Sequence, residues 1–196
     1  MGLDEFDRRD SPDSEAHYHE IVAGRTWRVS ARSFFQTRAD GAEALVECVA
    51  RTLRNAGTDR PQRLIDAYGG VGLLTAAAPG AGHVTVVEES ASSAADACNN
   101  LADRDVAVVT SSIQRWQPEP AEVVVADPAR AGLGAEAVAV LAGTSAETIV
   151  LVSCDAGSLG RDAGMLAACG YRHCGSEVLD LFPHTPHVEV VTLFQK

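Results

Sequence analysis

The chain has 196 residues, of which 46% are hydrophobic and 22% are charged, and its formal net charge at pH 7 is -11. This length and composition predict one globular domain with a sizeable core rather than two domains. No stretch approaches the roughly 20 apolar residues of a membrane helix, and the acidic start lacks the features of a signal peptide, so we expect a cytoplasmic protein with no membrane partner.

The charges are unevenly distributed along the chain. Residues 1–20 contain seven acidic residues and two arginines, which predicts an acidic, partly disordered segment over 1–28 before a domain over 29–196. The net charge alone argues against a nucleic-acid partner. Between Glu20 and Asp40, however, there is no acid, and arginines alternate with aromatic residues: Arg25, Arg28, Arg32 and Arg38 with Trp27, Phe34 and Phe35. That pattern suits stacking on single-stranded nucleic acid, but it equally suits a solvated arginine face over a small aromatic core with Phe34 or Phe35 inside.

From residue 39 onward, apolar runs alternate with helix-like segments. Five short Val-rich runs predict strands that are buried on both faces, at 63–68, 83–88, 105–110, 122–127 and 148–153. Segments rich in Ala and Leu lie between them and predict helices, at 39–57, 72–80, 90–103, 134–143 and 157–170. This alternation predicts a doubly wound α/β fold, and two extended segments at the C-terminus predict an antiparallel pair beside the parallel sheet.

Ligands in such folds bind beyond the carboxyl ends of the strands, so the residues there are the candidates for a site. The first strand is followed by "DAYGGVG", Asp66 to Gly72, and Glu88 ends the next strand, where a carboxylate can accept hydrogen bonds from a ribose. A dinucleotide and S-adenosylmethionine both fit this layout. The dinucleotide fingerprint would need a third glycine where Thr75 stands, which favours S-adenosylmethionine.

The last strand of the parallel series ends in "VLVSCDAG", with Cys154 directly after it. The neighbouring strand ends in "DPAR", Asp127 to Arg130, so a candidate nucleophile would lie beside a carboxylate and a guanidinium. A thiol reacts as thiolate or by attack coupled to protonation of the substrate. The five cysteines are odd in number and never spaced as C-x-x-C, so we expect free thiols without a disulfide framework or a zinc site.

Six blocks occur in the order and spacing found in the RNA 5-methyluridine methyltransferases. They are "SFFQTRADGAEAL", "DAYGGVGLL", "VEESASSAADACNNL", "DPARAGL", "VSCDAGSLGRD" and "DLFPHTPHVEVV". The chain resembles the catalytic part of that S-adenosylmethionine-dependent family from about Val29 to the C-terminus. The resemblance implies a Rossmann-like methyltransferase fold with a mostly parallel seven-stranded sheet, helices on both faces and an antiparallel C-terminal strand.

The resemblance also implies roles for residues. Cys154 matches the nucleophile that adds to C6 of a uracil, and Glu189 matches the base that later removes the C5 proton. Asp127 matches a catalytic carboxylate between cofactor and base. Cofactor contacts are implied for Gln36, Asp66, Tyr68, Gly70, Gly72, Leu73, Glu88, Ser112 and Asp127. Phe35, Arg130, Asp180 and His184 match substrate-contacting or supporting residues.

Some features depart from the family pattern. Thr37, Gly69 and the pair Asp155 and Ala156 stand where members often have other residues, and a carboxylate at Asp155 should raise the pKa of the Cys154 thiol. Many members also carry an RNA-binding barrel and a cysteine cluster for an iron–sulfur centre, and this chain contains neither. We predict no metal at His184 and His187, because Pro183 and Pro186 argue against a helix presenting both.

Three hypotheses therefore remain at this point. The first is an enzyme that methylates C5 of a uridine in 23S ribosomal RNA or transfer RNA, with "DPAR" leaning toward the ribosomal type. The second is an S-adenosylmethionine-binding domain that is inactive without a missing RNA-binding domain or partner. The third is a dehydrogenase, which Thr75 disfavours and which gives no reason for the pairing of Cys154 with Glu189.

Overall fold

The computed structural model describes residues 16–36, 38–182, 184–185 and 188–196. They form two sheets and four α-helices. The elements in chain order are β1 His17–Val22, β2 Arg25–Ser30, α1 Ala39–Asn55, β3 Arg63–Ala67, β4 His83–Glu88, α2 Ala91–Asn100, β5 Val106–Thr110, β6 Val123–Ala126, α3 Gly134–Gly143, β7 Thr148–Ser153, α4 Ala156–Ala168, β8 Arg172–Leu179 and β9 Glu189–Gln195.

The larger sheet has seven strands in the order β5-β4-β3-β6-β7-β9-β8. The first five of these strands run parallel, and β9 pairs antiparallel with both β7 and β8. The predicted fold class, with its antiparallel C-terminal pair, is confirmed. The chain leaves β3 toward β4 and β5 and then returns to β6, so the strand order reverses between β3 and β6. A crevice opens at such a reversal, and this places the site.

Both faces of the sheet are covered, which explains the continuous apolar runs. Alternate strand residues enter two separate cores: Leu64 packs with α1 and α2 on one face, and Ile65 packs with α3 and α4 on the other. The same alternation holds in β7, where Val150 and Val152 face one core and Ile149 and Leu151 face the other. Parallel strands buried on both faces need apolar residues at every position.

One predicted helix is much shorter than expected. The segment at 72–80 forms only a 3-10 helix, Leu73–Ala77, which ends before Pro79. Arg104 donates to the carbonyl oxygens of Thr75 and Ala78 at 2.8 and 2.9 Å, so a side chain from elsewhere satisfies the end of this turn. A second 3-10 helix, Ile113–Arg115, follows β5.

Strands β1 and β2 form a separate antiparallel hairpin, which the sequence did not predict. Its two-residue turn has positive φ at Ala23 and Gly24, which matches the twist of the paired strands. Trp27 is fully buried and its indole N–H donates to the carbonyl oxygen of Val22 at 3.0 Å. The domain boundary expected between residues 28 and 29 falls inside β2, while residues 1–15 lie outside the described residues.

Within the described ranges, no helix is long and apolar enough to cross a membrane.

Candidate active site

The carboxyl ends of β3, β4, β6 and β7 meet around one cavity of about 600 Å³. This volume is within the usual range for small-molecule sites. Eleven of the residues predicted from the sequence line it: Phe35, Gln36, Asp66, Tyr68, Gly70, Leu73, Glu88, Asp127, Arg130, Cys154 and Glu189. Phe35 and Glu189, which lie more than 150 positions apart in the chain, therefore line the same cavity.

Four predicted residues do not line this cavity. Gly72 packs against α2, since a Cβ there would lie 2.6 Å from Leu101 Cδ1. Ser112 stands at the start of the second 3-10 helix, where its carbonyl oxygen accepts a hydrogen bond from Arg115 N. Asp180 and His184 are exposed beyond β8. His187 lies outside the described residues, and among those described no group of three or more His, Cys, Asp or Glu side chains is placed to hold a metal ion.

Glu88 forms hydrogen bonds to two segments that border the cavity, the glycine turn after β3 and the start of α2. Its Oε2 accepts from Gly70 N at 2.9 Å, and its Oε1 accepts from Ser90 N at 2.7 Å. Ser90 in turn caps α2 by accepting from Ser93 N. Gly70 has φ +56, a conformation that glycine adopts without strain. Each carboxylate oxygen keeps a free lone pair, so Glu88 can still accept hydrogen bonds from a ligand.

Asp66 lies beneath the glycine turn and is 1% exposed. Its Oδ2 accepts from the Thr75 hydroxyl at 2.6 Å, while Oδ1 has no hydrogen-bond partner among the described residues. Burial raises the pKa of Asp66 to about 6. Thr75, which excluded the dinucleotide fingerprint in the sequence, therefore holds a buried carboxyl group at this turn. Such an orphaned oxygen is costly unless a donor reaches it.

Cys154 and Glu189 meet because of the register between β7 and β9. Ser153 pairs with Val190 as the last pair of this antiparallel ladder, so Cys154 and Glu189 are the next residues on the two strands beyond it. Glu189 is 4% exposed, whereas Cys154 is half-buried. Asp127 follows β6, the other neighbour of β7, and its N–H donates to the carbonyl oxygen of Ala67. The thiol is thus flanked by a carboxyl group on each side.

Burial makes both of these carboxyl groups weak acids, and neighbouring negative charges add to the effect at Asp127. Burial raises the pKa of Glu189 to about 7. Burial, with smaller contributions from the charges of Glu189 and Asp66, raises the pKa of Asp127 to about 7. The pKa of the Cys154 thiol is also raised, first by burial and then by Glu189 and Asp127, while Arg130 acts in the opposite direction.

The source of the thiol shift differs from the one expected. Asp155 does not face the thiol as a free carboxylate; it caps α4, and its Oδ1 accepts from Ser158 N at 2.7 Å. That hydrogen bond holds the pKa of Asp155 below its ordinary value. The direction predicted for Cys154 is right, but Glu189 and Asp127 are the carboxyl groups responsible.

The aromatic and arginine segment near the N-terminus divides into core and cavity mouth. Phe35 is 8% exposed, whereas Phe34 is 70% exposed at the cavity with Arg32. Trp27 belongs to the core. Arg25 pairs with Asp103 and Arg28 with Asp96, so neither is a free cation. The sequence placed Arg32 and Phe34 in the arginine and aromatic stretch that suits stacking on nucleic acid, but it gave no role to Phe182, which lines the cavity and lies in the block "DLFPHT".

Comparison with known proteins relates the chain to one class of enzyme. The sequence is 35% identical over 185 residues to an uncharacterised RNA methyltransferase of Streptomyces coelicolor, covering 90% of this chain and 40% of that protein. It is 32% identical to the 23S rRNA (uracil(1939)-C(5))-methyltransferase RlmD of Methylococcus capsulatus, covering 48% of that protein. The chain is related to RNA methyltransferases. No protein-family model matches it.

Solved structures similar to this chain also include an RNA methyltransferase. The tRNA (uracil-54, C5)-methyltransferase of Pyrococcus abyssi, in complex with S-adenosyl-L-homocysteine, superposes with a TM-score of 0.79 and 29% identity, covering 91% of this chain and 44% of that one. TYW2 of M. jannaschii, in complex with AdoMet, has a TM-score of 0.64 at 14% identity, which shows likeness of the fold alone. The chain thus spans less than half the length of the uracil methyltransferases it matches.

Proposed function

We propose that this chain transfers a methyl group from S-adenosylmethionine to C5 of a uridine in RNA, through a covalent bond between Cys154 and C6 of the uracil. The observation that carries the proposal is that Cys154, Glu189 and Asp127 line the same cavity as Glu88 and the glycine turn, with Cys154 and Glu189 directly beyond the Ser153–Val190 pair. Its relatives that act on uracil C5 in 23S rRNA and in tRNA support the same assignment.

The residues at the β3 and β4 ends fit S-adenosylmethionine. Gly69 lets the turn pack closely on β4, since a Cβ there would lie 2.5 Å from Val86 Cγ1, and Gly70 adopts φ +56 with no atom within 4 Å of its Cβ position. Glu88 offers carboxylate lone pairs for ribose hydroxyls, and the unpartnered Oδ1 of Asp66 offers an acceptor under the turn. When bound, S-adenosylmethionine supplies an electrophilic methyl group on a positively charged sulfur for uptake at C5.

The cavity mouth suits a single nucleotide rather than a duplex. Phe34 presents an exposed ring, and Arg32 and Arg130 contribute cations beside it in a protein of formal net charge -11. An aromatic ring stacks on a base of any identity, and an arginine can pair with the adjoining phosphate. A uridine that is unpaired or flipped from its stack could therefore enter toward Cys154.

In the first step, Cys154 Sγ forms a bond to C6 of the uracil, which turns C5 into an enolate-like carbon that can take up the methyl group. Covalent addition is required because C5 of uracil is otherwise a poor nucleophile. Arg130, which lowers the thiol pKa against the effects of burial and of two carboxyl groups, favours the thiolate form. Protonated Asp127, whose pKa burial raises to about 7, can donate a hydrogen bond to the negative charge that develops on the uracil.

In the second step, Glu189 removes the proton from C5, the C5–C6 double bond re-forms and the Cys154 thiolate leaves C6. A general base works best with a pKa near the operating pH, and the value of about 7 for Glu189 meets this condition. The products are a 5-methyluridine in RNA, S-adenosyl-L-homocysteine and the Cys154 thiolate, and the proton taken from C5 passes from Glu189 to solvent. Cys154 and Glu189 must both face the ring, as adjacent strands β7 and β9 allow.

A second candidate is a domain that binds S-adenosylmethionine but methylates RNA only together with another domain or partner. The acidic charge and the coverage of 40 to 48% of the related methyltransferases favour it.

An RNA containing 5-fluorouridine separates the two candidates, because fluorine at C5 prevents the final elimination. With S-adenosylmethionine present, the first predicts a denaturation-resistant complex between RNA and chain that Cys154→Ala abolishes. Binding of the cofactor without any such complex would favour the second. The dehydrogenase alternative requires binding of a nicotinamide cofactor instead.

A further inference from the structure

Helix α3 begins without a capping side chain of its own. Leu133 occupies the N-cap position and makes no side-chain cap hydrogen bond. Instead, Asp162 of α4 reaches across: its Oδ2 accepts from Leu133 N at 2.7 Å and its Oδ1 accepts from Gly134 N at 3.1 Å. The first N–H groups of a helix lack partners within the helix, and a carboxylate there is also favoured by the helix dipole. Asp162, only 2% exposed, is therefore the cap of α3.

The turn before α3 is fitted to this carboxylate. Gly132 N donates to the carbonyl oxygen of Ala129 at 2.8 Å and closes the turn, with φ +79 at Gly132. A Cβ on Gly132 would overlap Asp162 Oδ2 and lie 2.9 Å from Ser158 Cβ. The loop from Asp127 to Leu133 thus rests directly on the first turns of α4, and only glycine fits at the contact.

Helix α4 also fixes the reacting cysteine. Cys154 directly precedes Asp155, which caps α4 through Ser158 N. Cys154 therefore lies directly before the N-terminus of α4. Two turns later in the same helix, Asp162 binds the end of the loop that contains Arg130. The sequence block "VSCDAGSLGRD" contains both positions.

We propose that Asp162 is a positioning residue for the nucleophile: by capping α3 from α4, it holds the loop from Asp127 to Leu133 so that Arg130 stays in the cavity that it lines together with Cys154. The role rests on the proposed function only in taking Cys154 as the reacting thiol. Asp127 is anchored separately, since it follows β6 and its N–H bonds to Ala67. Loss of the Asp162 cap should therefore release Arg130 more than Asp127.

The charge state of the thiol reports this release. The ionisable groups that act on Cys154 are Glu189 from β9, Asp127 from the end of β6, and Arg130 from the loop. Both carboxyl groups raise the thiol pKa and Arg130 alone among them lowers it. If Arg130 moves away, the thiolate fraction at a given pH falls, and so does the rate of alkylation.

The test is the rate of iodoacetamide alkylation at Cys154, followed by mass spectrometry from pH 7 to 10 without RNA or S-adenosylmethionine. For Asp162→Asn we expect roughly threefold slower alkylation at pH 8, which corresponds to a rise of about half a unit in the thiol pKa. The exposed Cys98 in the same sample serves as an internal reference whose rate should not change. Because no methyl transfer is measured, an inactive chain leaves this test intact.

A double-mutant cycle distinguishes positioning from general loosening. In an Arg130→Met background, Asp162→Asn should cause no further slowing, because the group that it positions is gone. Asp96→Asn is the matched control: Asp96 is another buried carboxylate that accepts a main-chain N–H, but it lies on the opposite face of the sheet and should leave the Cys154 profile unchanged.

If Asp162→Asn does not fold, Asp162→Glu keeps an acceptor and should give a smaller slowing in the same direction. An unchanged Cys154 profile in the folded variant, or equal slowing with and without Arg130, would overturn the proposal.

Discussion

Replacement of Glu189 by glutamine tests the electrostatics of the site without any substrate. In the folded chain, burial raises the pKa of Glu189 from 4.5 to about 7. A group whose folded pKa lies above its unfolded pKa binds more protons in the folded state, so its ionisation lowers stability as the pH rises through that window. Glutamine mimics the protonated form and does not titrate. The advantage of Glu189→Gln over the native chain should therefore grow between pH 5 and pH 8.

The expected size follows from the two pKa values. One pKa unit corresponds to about 1.4 kcal/mol, so the full effect approaches about 3.4 kcal/mol, and about 2.5 kcal/mol of it falls between pH 5 and pH 8. Urea unfolding of both proteins at the two pH values measures this as a change in the difference between their free energies of unfolding. The control is Glu136→Gln, which makes the same change at an exposed carboxyl group on α3. A difference for Glu189→Gln that stays constant or shrinks toward pH 8 would refute the reasoning.

Three further predictions follow from the site and its support. Glu88→Gln should weaken S-adenosylmethionine binding by roughly tenfold in calorimetry, because charge-assisted hydrogen bonds are about twice as strong as neutral ones; unchanged affinity would remove Glu88 from the cofactor site. For methyl transfer, kcat/KM should rise roughly tenfold from pH 6 to pH 8, since Glu189 must lose a proton near pH 7 to act as base; a falling profile would contradict that role. Trp27→Ala should cost about 3 to 5 kcal/mol in urea unfolding, because the ring is fully buried, whereas a loss under 1 kcal/mol would mean that the hairpin is peripheral.

The sheet could be predicted because strands that are buried on both faces appear in the sequence as continuous apolar runs. Runs such as "TIVLVS" are apolar at every position since both faces of β7 are covered, and the observed strand matches the predicted one from Thr148 to Ser153. The positions of Asp66, Glu88, Asp127 and Cys154 followed from the rule that ligands bind at the carboxyl ends of parallel strands. Sheet topology therefore brought these residues together as the pattern indicated.

Residues whose position depends on tertiary partners were not predictable in this way. The acid-free stretch could not reveal that Arg25 and Arg28 pair with Asp103 and Asp96, residues about 70 positions later. Nor could the spacing of residues show that the Asp155 carboxylate caps α4 by accepting a hydrogen bond from Ser158 N. Glu189 was predicted only from the family resemblance. Its position near Cys154 depends on the register of β9 on β7, and the sequence pattern does not show that register.

Transfer of labelled methyl from S-adenosylmethionine to unmodified RNA, with nucleoside analysis of the product, tests the central claim most directly. The native chain should produce 5-methyluridine, and the size class of the labelled RNA should show whether ribosomal or transfer RNA is the substrate. Cys154→Ala should produce none while still binding S-adenosylmethionine. Label that appears at another nucleoside, or 5-methyluridine formed equally well without the Cys154 thiol, would contradict the account.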